Sequence, residues 1–167
     1  MREKVMSPSC GSGAEPSPPG MDFLLRFEAT FAPPQDLGET PAGGRRILVV
    51  ETGRFEGPRL RGAVRAGGGD WVLMRRDGVA ELDIRLTLET EDKALIYAIG
   101  IGVFDMSPEI RQRLSKGEKI DRDRYYFRTA WTFETGASQH ESLNRLIALG
   151  VGERTLAGMI TYVFAIQ

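Results

Sequence analysis

From Met21 onward, apolar and polar residues alternate with period two, the signature of half-buried β-strands. Phe23, Leu25, Phe27, Ala29 and Phe31 alternate with Leu24, Arg26, Glu28 and Thr30. Residues 23–31 are therefore a predicted strand, which Pro33-Pro34 ends because proline cannot donate to a ladder. Further strands are predicted over 45–52, where Ile47 to Val50 are apolar on both faces, and over 57–65. A short strand over 70–75 follows the turn at Gly67-Gly68-Gly69. Asp77-Gly78 predicts a two-residue type I′ hairpin.

The cleanest alternation comes next. Ala80, Leu82, Ile84, Leu86 and Leu88 share one face, and Glu81, Asp83, Arg85, Thr87 and Glu89 the other. The return strand, 94–104, carries Tyr97, Ile99, Ile101 and Val103 opposite Ile96, Ala98, Gly100 and Gly102. Glycines inside a strand mark a bend, a bulge or the close approach of another group. Residues 125–135 alternate Tyr125, Phe127, Thr129, Trp131 and Phe133 with Tyr126, Arg128, Ala130, Thr132 and Glu134. Residues 143–151 and 155–166 read as a closing pair around Gly150-Val151-Gly152. One short helix is predicted near 107–116, with Ser107 as N-cap, Pro108 at the first helical position, Glu109 at the positive end and Gly117 as terminator.

Eight to ten strands, one helix and short turns predict an all-β protein. The expected form is a single closed antiparallel β-barrel over residues 21–167, since closure removes exposed sheet edges. Residues 1–20 are expected to be a disordered tail, because Pro, Gly and Ser dominate 7–20 and little there can be buried. Met21 is a candidate biological start.

Composition then removes function classes. A net charge of -1 and a pI near 5.9 provide no global field for nucleic acid or an anionic membrane. Between Arg45 and Asp77 lie eight arginines against Glu51, Glu56, Asp70 and Asp77, which reads as a solvated strand face. Cys10 is the only cysteine and His140 the only histidine, so neither an intrachain disulfide nor a structural zinc site is expected. No secretory signal or membrane-length apolar run appears, and cytoplasm is the default location.

The remaining chemistry lies on two strands. One places Asp83, Arg85, Thr87 and Glu89 on a single face, and the other places Arg128, Thr132 and Glu134 on a single face. Alternation alone sets such faces in water. An eight-stranded barrel can instead hold a small ligand, and polar groups turned into its lumen would need each other as Arg–carboxylate pairs. Gly67-Gly68-Gly69-Asp70-Trp71 is not a phosphate loop, since no Lys-Ser/Thr and no helix follow, and it reads as a flexible turn. His140, in a polar connection, reads as solvated.

Several pieces in order carry a resemblance. They are Gly67 to Trp71, Asp77-Gly78, Leu82-Asp83-Ile84-Arg85, Thr87-Leu88-Glu89-Thr90, Ile96-Tyr97, Tyr126-Phe127-Arg128-Thr129, Phe133-Glu134-Thr135 and Leu143-Asn144. Together, from Phe23 to Ile166, they resemble domain-of-unknown-function family 3237, small bacterial and fungal barrel proteins. The resemblance implies that the polar faces turn inward. It also implies a tyrosine and a tryptophan where this chain has His140 and Ser142, and hence a more open and more polar pocket here.

The expected function is a small-molecule-binding barrel acting without metal or other cofactor as a cyclase, isomerase or hydro-lyase. Asp83 or Glu134 would move the proton, and Arg85 and Arg128 would hold an anionic or enolate oxygen. Trp71, Tyr97 and Asn144 would bind and orient a small apolar or aromatic ligand. The alternative is a lipocalin-like binding protein without catalysis. With the polar faces inward, Leu82 to Leu88 would need outside cover, which predicts a homodimer. Neither nucleic acid nor membrane is an expected partner.

Overall fold

The computed structural model describes residues 17–167, so most of the predicted 1–20 tail lies outside the described residues. Ten strands form one antiparallel sheet: β1 (Met21–Phe31), β2 (Gln35–Thr40), β3 (Gly43–Glu56), β4 (Arg61–Val64), β5 (Gly69–Met74), β6 (Ala80–Thr90), β7 (Leu95–Asp105), β8 (Tyr126–Glu134), β9 (Ala148–Arg154) and β10 (Gly158–Ile166). The sheet runs β1-β10-β9-β8-β7-β6 and returns through β4 and β5 to β3, which pairs with β1 and closes the barrel. β4 and β5 share one position, because both lie between β3 and β6. The barrel is thus eight-stranded, with β2 an extra arm on the start of β3. No helix of the described residues is long and apolar enough to cross a membrane.

The alternation sorts the faces, and the inward turn of the polar faces is corrected here. Ala80, Leu82, Ile84, Leu86 and Leu88 are buried in the lumen, while Asp83 and Arg85 keep 43% and 50% of their side chains exposed. Filling a narrow barrel with leucine and isoleucine removes apolar area from water, whereas Arg–carboxylate pairs there would lose hydration. The case for a homodimer built on uncovered leucines goes with it.

The strand glycines serve close approach. A Cβ on Gly100 would sit 2.7 Å from the Trp131 ring, one on Gly150 2.6 Å from its Nε1, and one on Gly152 2.3 Å from Phe127. β8 therefore lays two of its inward aromatics, Phe127 and Trp131, over glycines of β7 and β9. Trp131 also donates to Thr129 Oγ1 at 2.6 Å and meets Phe27 edge-on at 5.1 Å. With Leu25, Leu86, Leu88, Ile96 and Val163 these side chains fill one half of the lumen, and Leu143 plugs that end.

Helix α1 (Pro108–Ser115) forms as predicted, with Ser107 Oγ accepting from the Ile110 N–H at 3.3 Å and Gly117 at φ +80°. It lies at the opposite end, where Ile110 and Ile120 join the core. Three local expectations differ. The Asp77-Gly78 hairpin has a three-residue loop: Gly78 N–H donates to Arg75 O and Arg75 N–H to Val79 O, and of the loop residues only Gly78 has positive φ. Residues 138–145 form a 3-10 segment instead of starting a strand. β2 is unpredicted because its sequence, QDLGET, has no apolar face to bury.

Candidate active site

The outer face collects some of the predicted residues without enclosing them. Arg85 donates through Nε to Asp83 Oδ1 at 3.0 Å and through Nη1 to the Tyr97 hydroxyl at 3.3 Å. Glu134 is the Cα partner of Tyr97 and is exposed. Trp71 points outward, level with Ile47 of β3. Arg128 pairs with Val103, six positions and so ~20 Å along the sheet from Glu134. It stacks 5.1 Å over Tyr126 and donates to Phe127 O. Asn144 is consumed by the Thr135 backbone, accepting its N–H at 2.8 Å and donating to its carbonyl at 2.9 Å. None of these seven residues lines a cavity at the α1 end of the barrel.

That end is where the lumen opens. A cavity of about 230 Å³ lies between Phe31, Leu48, Val72, Leu82, Phe104 and Phe127, with Met74, Met106 and Met159 around them. Met106 and Arg111 bring the segment that carries α1 against this end. Into this apolar wall projects Asp70, only 3% exposed.

Asp70 owes its place to the glycine run. A Cβ on Gly68 would lie 2.5 Å from Arg85 O, and one on Gly69 2.6 Å from Leu48 O, so only glycine lets the chain slip between β3 and β6. Gly67, at φ +95°, makes the turn from β4 into β5. The run is neither a free loop nor an anion cradle. It is the joint of a broken barrel strand, and Asp70 is the first side chain past it.

Pairing of β5 with β6 is recorded at Asp70↔Ile84 and resumes at Leu73↔Glu81. In the gap, Asp83 N–H goes to Asp70 Oδ1 at 3.1 Å, and Trp71 O accepts from Arg45 Nη1 at 2.8 Å. Side chains thus satisfy two backbone groups that a buried gap would otherwise orphan. That single N–H is the one hydrogen bond recorded to the Asp70 carboxyl among the described residues. Burial, the largest influence, pushes its pKa up to about 7; the Asp83 N–H acts against this and the Asp83 charge with it.

Three guanidinium groups line the same cavity. Arg46 is paired with Asp36 at 3.0 Å, and Arg111 of α1 donates to Gly78 O at 2.6 Å. Arg154, at the end of β9, is half-buried, donates to Gly158 O and holds the Tyr125 hydroxyl with its backbone N–H at 2.9 Å. Among the described residues no carboxylate lies within 4.0 Å of Arg154 or Arg111. Arg154 also borders a second cavity, of about 500 Å³, lined by Glu28, Leu114, Glu118, Glu153 and Leu156.

Asp70 and Arg154 are the pair that sequence reasoning missed. Parity was the available signal: Asp70 shares its face with Val72 and Met74, as Arg154 does with Gly150 and Gly152.

The model of the family described as "Protein of unknown function (DUF3237)" matches residues 19–166. The chain belongs to this family. A UPF0311 protein of Rhodopseudomonas palustris is 32% identical over 132 residues, covering 79% of this chain and 86% of its own. One of Clostridium acetobutylicum is 34% identical over 119 residues, covering 71% and 75%. A solved beta-barrel like protein from Acinetobacter baumannii, 33% identical, superposes with a TM-score of 0.80 over 93% of this chain and 100% of that one. At 19% identity, an enzyme from Penicillium herquei superposes with a TM-score of 0.71 over 93% of this chain and 99% of that one, a likeness of fold alone.

Proposed function

We propose that the protein is a cofactor-independent enzyme of the cyclase, isomerase or hydro-lyase kind, moving a proton with Asp70 in the α1-end cavity. The observation that carries this reading is a buried carboxyl facing open volume in a largely apolar wall, with Arg46, Arg111 and Arg154 in the same lining but, among the described residues, no guanidinium nitrogen within 4.0 Å of it. Carboxylates of the outer face point the other way: Asp83, Glu89 and Glu28 are all taken up by arginine or lysine. A carboxyl that titrates near neutrality is matched to both halves of acid–base catalysis, since both protonation states are populated at working pH. An apolar wall strengthens the base by excluding water, and Arg111 and Arg154 supply the positive charge that a developing enolate or alkoxide needs. In this reading Asp70 and these arginines take the roles expected of Asp83, Glu134, Arg85 and Arg128. The fold neighbour from Penicillium herquei is called an enzyme, so the scaffold is compatible with turnover.

The test is deuterium uptake at the α-carbon of an apolar cyclic 1,3-dicarbonyl probe, 2-acetyl-1-tetralone, followed by NMR. Wild type and Asp83→Asn are expected to accelerate exchange equally, and Asp70→Asn to lose the acceleration. Exchange unaffected by Asp70→Asn would overturn the reading. Binding of the probe without any exchange would return the protein to the ligand-carrier alternative.

A further inference from the structure

We infer that the ligand of this cavity is an amphipathic anion, an apolar or aromatic body bearing one carboxylate, anchored by Arg154. The inference rests on the reading of the α1-end cavity as the ligand site and adds the chemical class. The body follows from the wall, in which Phe31, Leu48, Val72, Leu82, Phe104 and Phe127 outnumber every polar group.

The charge follows from the arginines. A guanidinium taken half out of water loses hydration that a partner must restore, and proteins normally supply a carboxylate. Arg154 has only the Gly158 carbonyl, which leaves most of its five donors unused among the described residues. Burial holds its pKa below the ordinary arginine value, and it stays charged at any physiological pH. Arg111 faces the same space, also without a carboxylate partner among the described residues, and Arg46 is already neutralised by Asp36. Among the described residues Asp70 is the one acidic residue in the lining. The cavity is therefore a cationic site with an apolar body, and its missing counter-ion is the ligand's own.

Asp70 makes uptake depend on pH. The charged or titratable groups facing it are Arg46 of β3, Asp83 of β6, Arg111 of α1 and Arg154 of β9. The arginines keep their charge throughout, so Asp70 is the lining group that changes. Protonated, it accepts an anionic neighbour; ionised, it repels one across a medium of low dielectric constant. The sign is fixed: carboxylate binding weakens as Asp70 ionises.

The experiment measures the thermal midpoint and the dissociation constant of the full chain with 2-naphthoate and with its neutral isostere 2-naphthamide. Expected are clear stabilisation by naphthoate, at least tenfold weaker binding of naphthamide, and loss of naphthoate binding in Arg154→Met. Arg154→Lys, which keeps the charge, should retain the preference for naphthoate at lower affinity, and it serves if Arg154→Met does not fold. Naphthoate should bind several-fold more tightly at pH 5.5 than at pH 8.5, and Asp70→Asn should remove that difference. Equal binding of acid and amide would overturn the anion while leaving the cavity as the ligand site. Naphthoate binding that survives both Arg154 variants unchanged would overturn Arg154 as its anchor. Wild-type protein that binds naphthoate as expected but does not accelerate proton exchange would count against the catalytic reading alone.

Discussion

Replacing Asp70 by Asn removes the charge and little else, because Asn Oδ1 can still accept the Asp83 N–H. The consequence for stability follows from the raised pKa. In the unfolded chain this carboxyl loses its proton near its ordinary value of 3.8, whereas in the fold it keeps it up to about 7. Between those values the native state binds more protons than the unfolded state, so stability falls as pH rises through the window and levels off above it. Well below 3.8 the carboxyl is neutral in both states and contributes nothing. The rise from 3.8 to about 7, at roughly 1.4 kcal/mol per pH unit, amounts to ~4 kcal/mol lost above neutrality. Asp70→Asn should therefore match wild type near pH 4 and exceed it by a few kcal/mol at pH 8. Urea denaturation of both proteins at half-unit steps from pH 4 to pH 8.5 measures the difference directly. A stability difference that does not grow with pH across this range would refute the argument, since it would mean that Asp70 is already ionised at little cost in the native protein.

Other expectations test the frame around the site. Gly152→Ala should lower stability by ~2 kcal/mol or more in chemical denaturation, because its Cβ would lie 2.3 Å from the Phe127 ring and β8 must shift to admit it. Ser107→Ala should cost about 1 kcal/mol by removing the cap of α1, and should raise amide exchange across 107–116 while leaving β6 protected. Asn144→Ala should cost about 1–2 kcal/mol through its two bonds to Thr135 and leave binding in the α1-end cavity unchanged. At pH 5.5, where Asp70 is protonated, Asp83→Ala and Arg85→Ala should leave naphthoate affinity unchanged, because their pair faces solvent away from that cavity.

The barrel was legible because its strands alternate so regularly. The β6 pattern from Ala80 to Glu89 sorted its two faces correctly on alternation alone, and the inward turn was implied by the family resemblance. Burial decides against it: the apolar sides of β6, β7 and β8 together fill a narrow lumen, leaving no room for Asp83, Arg85 or Glu134. Gly100 announced a bend, a bulge or a close approach, and only the fold shows that Trp131 makes the approach; Gly150 and Gly152, read as the turn of the closing pair, lie inside β9 and admit Trp131 and Phe127. Asp70 was hidden by a different cause. Its glycine neighbours look like a turn in one dimension, and their need arises from two carbonyls, Leu48 O and Arg85 O, brought in from strands distant in sequence. Arg154 was hidden by its position at a strand end, where alternation gives out and burial depends on what packs across the mouth.

The carboxyl carbon of Asp70 offers the most direct test of the cavity as a ligand site. Its 13C resonance, assigned by its loss in Asp70→Asn, can be titrated with and without 2-naphthoate. The account predicts a midpoint near 7 in the free protein, moved upward when the carboxylate probe is bound. A midpoint in the ordinary aspartate range, or one near 7 that saturating naphthoate leaves in place, would contradict it.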